Sequence, residues 1–361
     1  MDLIIFGAQG IALGLYKAIH SCCPNRSIRC FLVSEKGMNA PVLAGIPVLE
    51  INSFADSLSQ KEKDNIEILI AAPEDVMEEI EKLLESYGLH YFTRIDSLRW
   101  AELMGYYYMK DRSFLSLSAL PVGCYKAAIM VYMAKFYKDR PLSSNYKIPD
   151  WTIPMQVGAA LCEERVADVL DCNGEGISEK NVNYCELTGL YWIWKNRLCK
   201  EKESESSQYY GLVQYRRILN LNEDDLLRLN NNDVDVVLPY PMPYEPDIEE
   251  HHKRYLNDKD WRAMLMALEE LQPEYARHFS QVLKQQYLYN YNIILARKDV
   301  LLDYCNWLFP ILERTEQISI PKGNERADRY IGYIGETLST LYFMYNRKKL
   351  NIVHTGCRFL T

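Results

Sequence analysis

Leu3-Ile4-Ile5-Phe6-Gly7-Ala8-Gln9-Gly10-Ile11-Ala12-Leu13-Gly14 reads as an apolar strand that enters a glycine turn and opens a helix running through His20. Further strands are expected at residues 30–34 and 66–71. Pro73 stops the latter, and residues 74–87 read as a helix with Glu74 and Asp75 in its first turn, where the helix dipole favours negative charge. Alternation of this kind predicts an α/β unit with a parallel sheet. Gly7, Gly10 and Gly14 would let backbone N–H groups approach a pyrophosphate at a helix N-terminus, and Glu35 stands where an acidic residue binds a ribose. The spacing is G-x-x-G-x-x-x-G rather than G-x-G-x-x-G, so a tight turn that keeps its glycines for packing is the alternative reading.

The 361 residues suffice for two domains. A formal charge of −8 argues against a nucleic-acid partner, which needs a basic face. Residues 1–120 carry 11 basic and 16 acidic side chains, and 121–361 carry 30 and 33. The second part is therefore near neutral, as suits a site for an anionic diphosphate. The ten cysteines form no C-x-x-C pair, so neither a zinc site nor a disulfide framework is indicated. No apolar run is long enough to span a membrane, and the first residues lack the basic region of a signal peptide. A cytoplasmic protein is expected, with peripheral contact at the inner face of the membrane left open. The 27 Tyr outnumber the 10 Phe and 6 Trp together, which suggests either sugar-handling aromatic surfaces or a tyrosine-rich core.

Residues 112–150 are irregular, with a candidate helix at 125–137, and a domain boundary is placed between 120 and 121. Residues 183–196 read as one helix, on which Glu186 and Trp194 share a face, and Trp192 and Trp194 read mainly as core. A charged, Ser-rich loop is expected at 200–208. The strand at 209–217 ends in Arg216 and Arg217, two guanidinium forks suited to a diphosphate, or else a surface pair answering the acidic 222–225 stretch. Asp233-Val234-Asp235 matches the D-x-D pattern that holds a metal and a diphosphate, except that these carboxylates precede an apolar strand instead of closing one. Tyr106-x-x-x-Lys110 would suit a dehydrogenase, but such a pattern is expected by chance in so tyrosine-rich a chain. His251 and His252 lack a third ligand and read as surface or acceptor-site residues rather than metal ligands.

Two resemblances follow from these motifs. Ile5-Phe6-Gly7-Ala8-Gln9-Gly10 and Gly45-Ile46-Pro47-Val48 resemble the Rossmann-like N-terminal domain of bacterial sugar acyltransferases, which meets nucleotide sugars. Gln156-Val157-Gly158-Ala159, Ile177-Ser178-Glu179-Lys180-Asn181, Tyr184-Cys185-Glu186-Leu187-Thr188, Gly211-Leu212-Val213-Gln214-Tyr215-Arg216-Arg217 and Arg329-Tyr330-Ile331-Gly332-Tyr333-Ile334-Gly335-Glu336 resemble a bacterial capsular and exopolysaccharide biosynthesis family. It is known as domain of unknown function 4422, a GT-A-like glycosyltransferase branch. The resemblance implies an α/β chain with a Rossmann-like domain at 1–120, binding a nucleotide or nucleotide sugar, and a GT-A-like domain at 121–361. It also implies a nucleotide-sugar donor, with a UDP-linked galactose form such as galactofuranose favoured, and a saccharide or lipid-linked saccharide acceptor. The donor and acceptor set implied is Gln156, Gly158, Asn181, Asn183, Glu186, Lys195, Gln214, Tyr215 and Arg329, to which the D-x-D pattern adds Asp233 and Asp235. Two departures stand out: the family usually has His where Gln214 stands, and Asp-Asn where Glu175-Gly176 stands.

An inverting transfer needs a base for the acceptor hydroxyl and positive charge for the departing diphosphate. Glu336 is the first choice of base, or else it is ion-paired with Arg326 or Arg329, and Asp233 or Asp235 comes second. Arg216 and Arg217, with Lys195, would hold the leaving group, in which case no metal is required; Mn or Mg stays open. The alternatives are an NAD-dependent sugar oxidoreductase or epimerase using the N-terminal loop, and a noncatalytic polysaccharide-assembly protein. A homo-oligomer is compatible with either.

Overall fold

The computed structural model describes residues 2–143, 146–200 and 207–361, and the chain is mixed α/β with Rossmann-like and GT-A-like parts. The first six strands are β1 (Asp2–Phe6), β2 (Ile28–Val33), β3 (Val42–Leu43), β4 (Ile46–Glu50), β5 (Ile66–Ile70) and β6 (Phe92–Arg94). They form one sheet in the order β3-β4-β2-β1-β5-β6, parallel except for the β3–β4 hairpin. Ala44 and Gly45, both at positive φ, make that hairpin's two-residue turn. Ile5, Phe31 and Val33 face one layer of side chains, whereas Ile4, Phe6, Leu32, Ile68 and Ile70 face the other, as the two-residue period of a strand requires. Helices α1 (Gly10–Cys22), α2 (Ile51–Asp56), α3 (Gln60–Lys63), α4 (Met77–Ser86) and α5 (Ser97–Asp111) connect the strands, and the Asp96 side chain caps α5 through the Arg99 N–H at 2.8 Å.

The second sheet starts at β7 (Ile129–Lys135), β8 (Thr152–Gln156) and β9 (Val169–Leu170). It continues, after α6 (Asn181–Tyr184) and α7 (Leu187–Ile193), with β10 (Tyr209–Gln214), β11 (Arg217–Leu219), α8 (Glu223–Asn231) and β12 (Val236–Pro239). There follow β13 (Met242–Pro243), α9 (Ile248–His252), α10 (Asp258–Leu271), α11 (Pro273–Leu283), β14 (Tyr287–Leu288) and β15 (Ile294–Arg297). The chain closes with α12 (Lys298–Ile318), α13 (Tyr330–Asn346), β16 (Ile352–Thr355) and β17 (Cys357–Phe359). The order is β16-β12-β15-β10-β7-β8-β9, with β15 antiparallel to both its neighbours. Tyr132, Tyr210, Leu212 and Val236 face α7 and α10–α13, while Val131, Met133, Tyr209 and Val237 face a smaller core that includes Leu229 and Val353.

Three sequence expectations change here. Residues 125–137 hold a strand, β7, rather than a helix: Ile129-Met130-Val131-Tyr132-Met133-Ala134 is a continuous apolar run because a central parallel strand is covered on both faces. The helix expected over 183–196 is broken at Cys185, which takes φ 52°, and the later part passes into a π-helical turn at Trp194–Leu198. The strand at 209–217 ends at Gln214, and Arg217 folds back opposite it to open β11. Of the charged loop at 200–208, residues 201–206 lie outside the described residues.

Tyrosine is used largely as bonded core. Tyr108, Tyr132, Tyr209, Tyr210 and Tyr330 are fully buried, and the Tyr108 and Tyr209 hydroxyls each donate at 2.6 Å to a backbone carbonyl, of Pro241 and Val234. Tyr108 also joins the two sheets' surroundings, since its ring contacts Phe114, Tyr240 and Tyr287.

Candidate active site

The ends of β8 and β10 and the starts of α7 and α13 converge on two adjoining cavities of about 410 and 240 Å³. Both are lined by Cys185, Glu186, Gln214 and Arg329. The first adds Asn181 and Tyr215, and the second adds Arg217, Tyr291, Tyr333 and Glu336. Seven non-glycine residues have positive φ among the described residues, and four of them, Cys185, Tyr291, Asn292 and Arg329, belong to this region. Left-handed backbone costs roughly 1–3 kcal/mol per residue and persists where surrounding contacts hold it, often at functional sites.

Two carboxylates occupy the centre. Asn292 Nδ2 donates to Glu186 Oε1 at 2.8 Å, and the Tyr291 backbone N–H donates to Glu336 Oε1 at 2.9 Å. Burial pushes the Glu186 carboxyl up against the hydrogen bonds from Asn292 and Gln214 and the charge of Arg329. Burial pushes Glu336 up to about 8, the Tyr291 hydrogen bond opposing; the Glu186 charge adds to the rise, and Arg217 and Arg329 oppose it. Neighbouring carboxylates that resist ionising together form a coupled acid and base. Arg329 is fixed by its Nε bond to Cys185 Sγ at 3.3 Å. Arg217 lies over the Tyr291 and Phe359 rings at 4.3 and 4.9 Å. Burial holds the Cys185 thiol at about 12, so it is no thiolate nucleophile at neutral pH.

The sequence-derived residues divide by position. Glu336, Arg217, Glu186, Gln214, Tyr215, Asn181 and Arg329 come together at the cavities. Arg326, the other cation considered for Glu336, instead makes a two-pronged bridge to buried Asp260 at 2.6 and 2.8 Å. Arg216 turns away to pair with Asp75 of the N-terminal unit at 3.1 Å. Lys195 pairs with Glu175 at 3.6 Å and sits 3.6 Å from the Trp194 ring centroid. Gln156 is fully buried and shapes a loop, donating to Glu164 O at 2.8 Å and accepting from Val166 N at 3.0 Å. Gly158 donates to Asp171 at 2.8 Å. Asn183 pins the chain before α13 by donating to Gly323 O at 2.7 Å and Arg326 O at 2.9 Å.

Asp233 and Asp235 are a correction of a different kind. They lie just before β12, beside Arg297 and so at the end of the strands away from Gln214, where Asp235 accepts from Asn351 N at 2.7 Å and pairs with Arg297 at 3.4 Å. These carboxylates do not fit a metal held at the site, and among the described residues no group of three His, Cys, Asp or Glu side chains is placed to hold one. His251 and His252 are buried rather than on the surface, and both line the smaller cavity. Burial lowers them to about 3 and about 4, so both rings are neutral near pH 7. Trp192 and Trp194 are buried core, with Trp194 Nε1 donating to Asn306 at 3.1 Å.

The N-terminal glycines also acquire physical reasons. Gly7, at φ 126°, leaves no room for a side chain against the Ala71 carbonyl, and Gly10 admits the Tyr244 ring from the other unit, to 3.0 Å of where a Cβ would stand. Gly14 packs on Trp100, and Glu35 is exposed at the end of β2. Beyond the end of β5, a cavity of about 90 Å³ is lined by Ala72 and Pro73 of the N-terminal unit and by Arg217, Tyr291, Cys357 and Phe359. Close packing thus gives each of these glycines a physical reason, and Gly10 also lines a cavity of about 430 Å³ between the units.

Sequence reading missed Asp171, Tyr244, Asn290, Tyr291 and Asn292. Asp171 is fully buried and accepts from Gly158 N, Ala159 N, Ser178 Oγ and Thr188 Oγ1, which ties β8, α7 and the intervening loop together. The one available signal was the run Tyr289-Asn290-Tyr291-Asn292, because Asn tolerates the left-handed backbone found there.

No curated protein matches the sequence significantly. Among solved structures, the apo form of WbbM, a bifunctional glycosyltransferase, is similar with a TM-score of 0.54 and 25% identity, over 65% of this chain and 45% of WbbM. The chain thus spans less than half of WbbM's length. Residues 142–348 match the family described as domain of unknown function 4422, and the match takes in the strands and helices that bring Glu186, Arg217, Arg329 and Glu336 together. With more than half of its residues inside that match, this chain belongs to the domain of unknown function 4422 family.

Proposed function

We propose that this chain is a glycosyltransferase with domains at 1–120 and 121–361, moving a sugar from a nucleotide-sugar donor to a saccharide or lipid-linked saccharide acceptor in capsular or exopolysaccharide assembly. The observation that carries the reading is the pair Glu186 and Glu336 in one cavity with Arg217 and Arg329. Similarity to a bifunctional glycosyltransferase supports it. The donor enters the larger cavity beside Asn181 and Tyr215, and a UDP-linked galactose form, galactofuranose included, is the first donor to test.

In the inverting reaction, the acceptor oxygen bonds to the anomeric carbon as that carbon's bond to the diphosphate oxygen breaks. The diphosphate leaves with the bonding electrons toward Arg329 and Arg217, and the acceptor proton passes to Glu336. Glu186 is held in the same cavity by Asn292. Gln214 supplies hydrogen bonds and no proton, since an amide does not titrate. These arginines replace Arg216 and Lys195 in the leaving-group role, and no step is assigned to a metal. The test is a panel of UDP-, GDP- and dTDP-sugars read by thermal stabilisation and by donor hydrolysis, with and without manganese. A response confined to UDP-sugars and unaffected by chelator is expected; no response to any nucleotide sugar would overturn the reading.

A further inference from the structure

A further cavity, of about 430 Å³, lies between the N-terminal and C-terminal units. Gln9, Ala40 and Val42 wall it on one side, and Tyr244, His251 and Arg254 on the other. It adjoins the carboxylate cavity: Tyr244 and His251, stacked with ring centroids 3.5 Å apart, line both spaces. The rim is held by bonds across the units. Glu245 accepts from Ala44 N at 2.7 Å, Arg254 donates to Gln9 at 2.7 Å, and Lys17 donates to Gln286 at 2.8 Å.

These bonds decide the ligand chemistry. Of the charged side chains on its wall, Glu245 is held by a backbone N–H and Arg254 by an amide oxygen, one of each sign, so the cavity concentrates neither charge. Amides beside Val42 and two stacked rings suit a neutral, hydroxyl-rich ligand that hydrogen-bonds at its edges and lays its C–H face on a ring. Taken with the carboxylate cavity of about 240 Å³, the space falls in the roughly 300–1,000 Å³ range of small-molecule sites. The His251 ring is buried, has no hydrogen-bond partner among the described residues, and stands at the junction.

We propose that this cavity is the distal acceptor subsite, taking the inner sugars of a neutral oligosaccharide whose terminal hydroxyl reaches Glu336. The proposal rests on the glycosyltransferase reading above and gives the N-terminal unit a part in selecting acceptor length. Ala40 and Val42 are exposed, so Ala40→Phe and Val42→Trp fill the cavity without disturbing a core.

Saturation-transfer NMR on the full chain with galactose, a galactose disaccharide and a galactose trisaccharide is the test, run beside thermal stabilisation by UDP-sugars. The trisaccharide is expected to bind more tightly than the monosaccharide. Each variant is expected to weaken trisaccharide binding about tenfold while leaving monosaccharide binding and UDP-sugar stabilisation unchanged. A trisaccharide bound no better than the monosaccharide, or unaffected by both variants, overturns the proposal. Failure of the donor reading is recognised separately, as absence of stabilisation by any nucleotide sugar in the unsubstituted protein.

Discussion

Glu336 Oε1 accepts the backbone N–H of Tyr291 at 2.9 Å, so a helix carboxylate is tied to a loop residue held at φ 72°. The bond joins α13 to the segment between β14 and β15. It also fixes Glu336 in the cavity that holds Glu186, Arg217 and Arg329.

Transfer activity should depend on the Glu336 titration. A base works only when deprotonated, and burial pushes this carboxyl up to about 8. Turnover is therefore expected to rise with pH through about 8 and level off above it. A pH profile of kcat/KM for donor consumption reads this; a rate that falls over the same interval assigns the base elsewhere.

The same shift weakens the fold at high pH. In the unfolded chain Glu336 loses its proton near 4.5, whereas the folded chain keeps it until about 8, so stability falls as pH rises between those values. Glu336→Gln removes that dependence. Its Tm is expected to match the unsubstituted protein near pH 4 and to exceed it above pH 8, by about 1–2 °C for each kcal/mol recovered in a chain of 361 residues. Thermal melts across pH check both ends.

The arginine pair should separate by function. Arg217→Ala and Arg329→Ala are expected to lower kcat about 100-fold if they carry the diphosphate charge. Arg216→Ala removes a bridge to Asp75 at the junction of the units and should leave kcat near that of the unsubstituted protein. Steady-state kinetics on the three variants distinguishes the roles.

The D-x-D carboxylates should prove structural. Asp235→Asn weakens the bonds to Arg297 and Asn351 N and is expected to cost about 1 kcal/mol in urea unfolding, with donor turnover unchanged. Asp171→Ala is expected to cost more, about 3 kcal/mol, because it strands Gly158 N, Ala159 N, Ser178 and Thr188.

The N-terminal alternation of strand and helix was legible because apolar period and glycine punctuation agree there. The site was legible where a motif's residues face the cavity, as Glu186, Gln214 and Glu336 do. It was illegible where a neighbour in sequence points elsewhere: Arg216 and Arg217 are adjacent, yet the turn after Gln214 sends one to Asp75 and the other to Tyr291. Periodicity also misread β7, since an unbroken apolar run fits a buried strand and a buried helix equally well. No local pattern announces Asp171 as a hub, because its four donors are brought to it by separate segments.

The most direct measurement is transfer by Glu336→Gln beside the unsubstituted protein, with UDP-sugar binding read independently by thermal stabilisation. Retained donor binding with turnover lowered about 100-fold or more is the result expected of a lost general base. Turnover equal to that of the unsubstituted protein, with donor binding intact, would contradict the assignment of this cavity as the site of transfer.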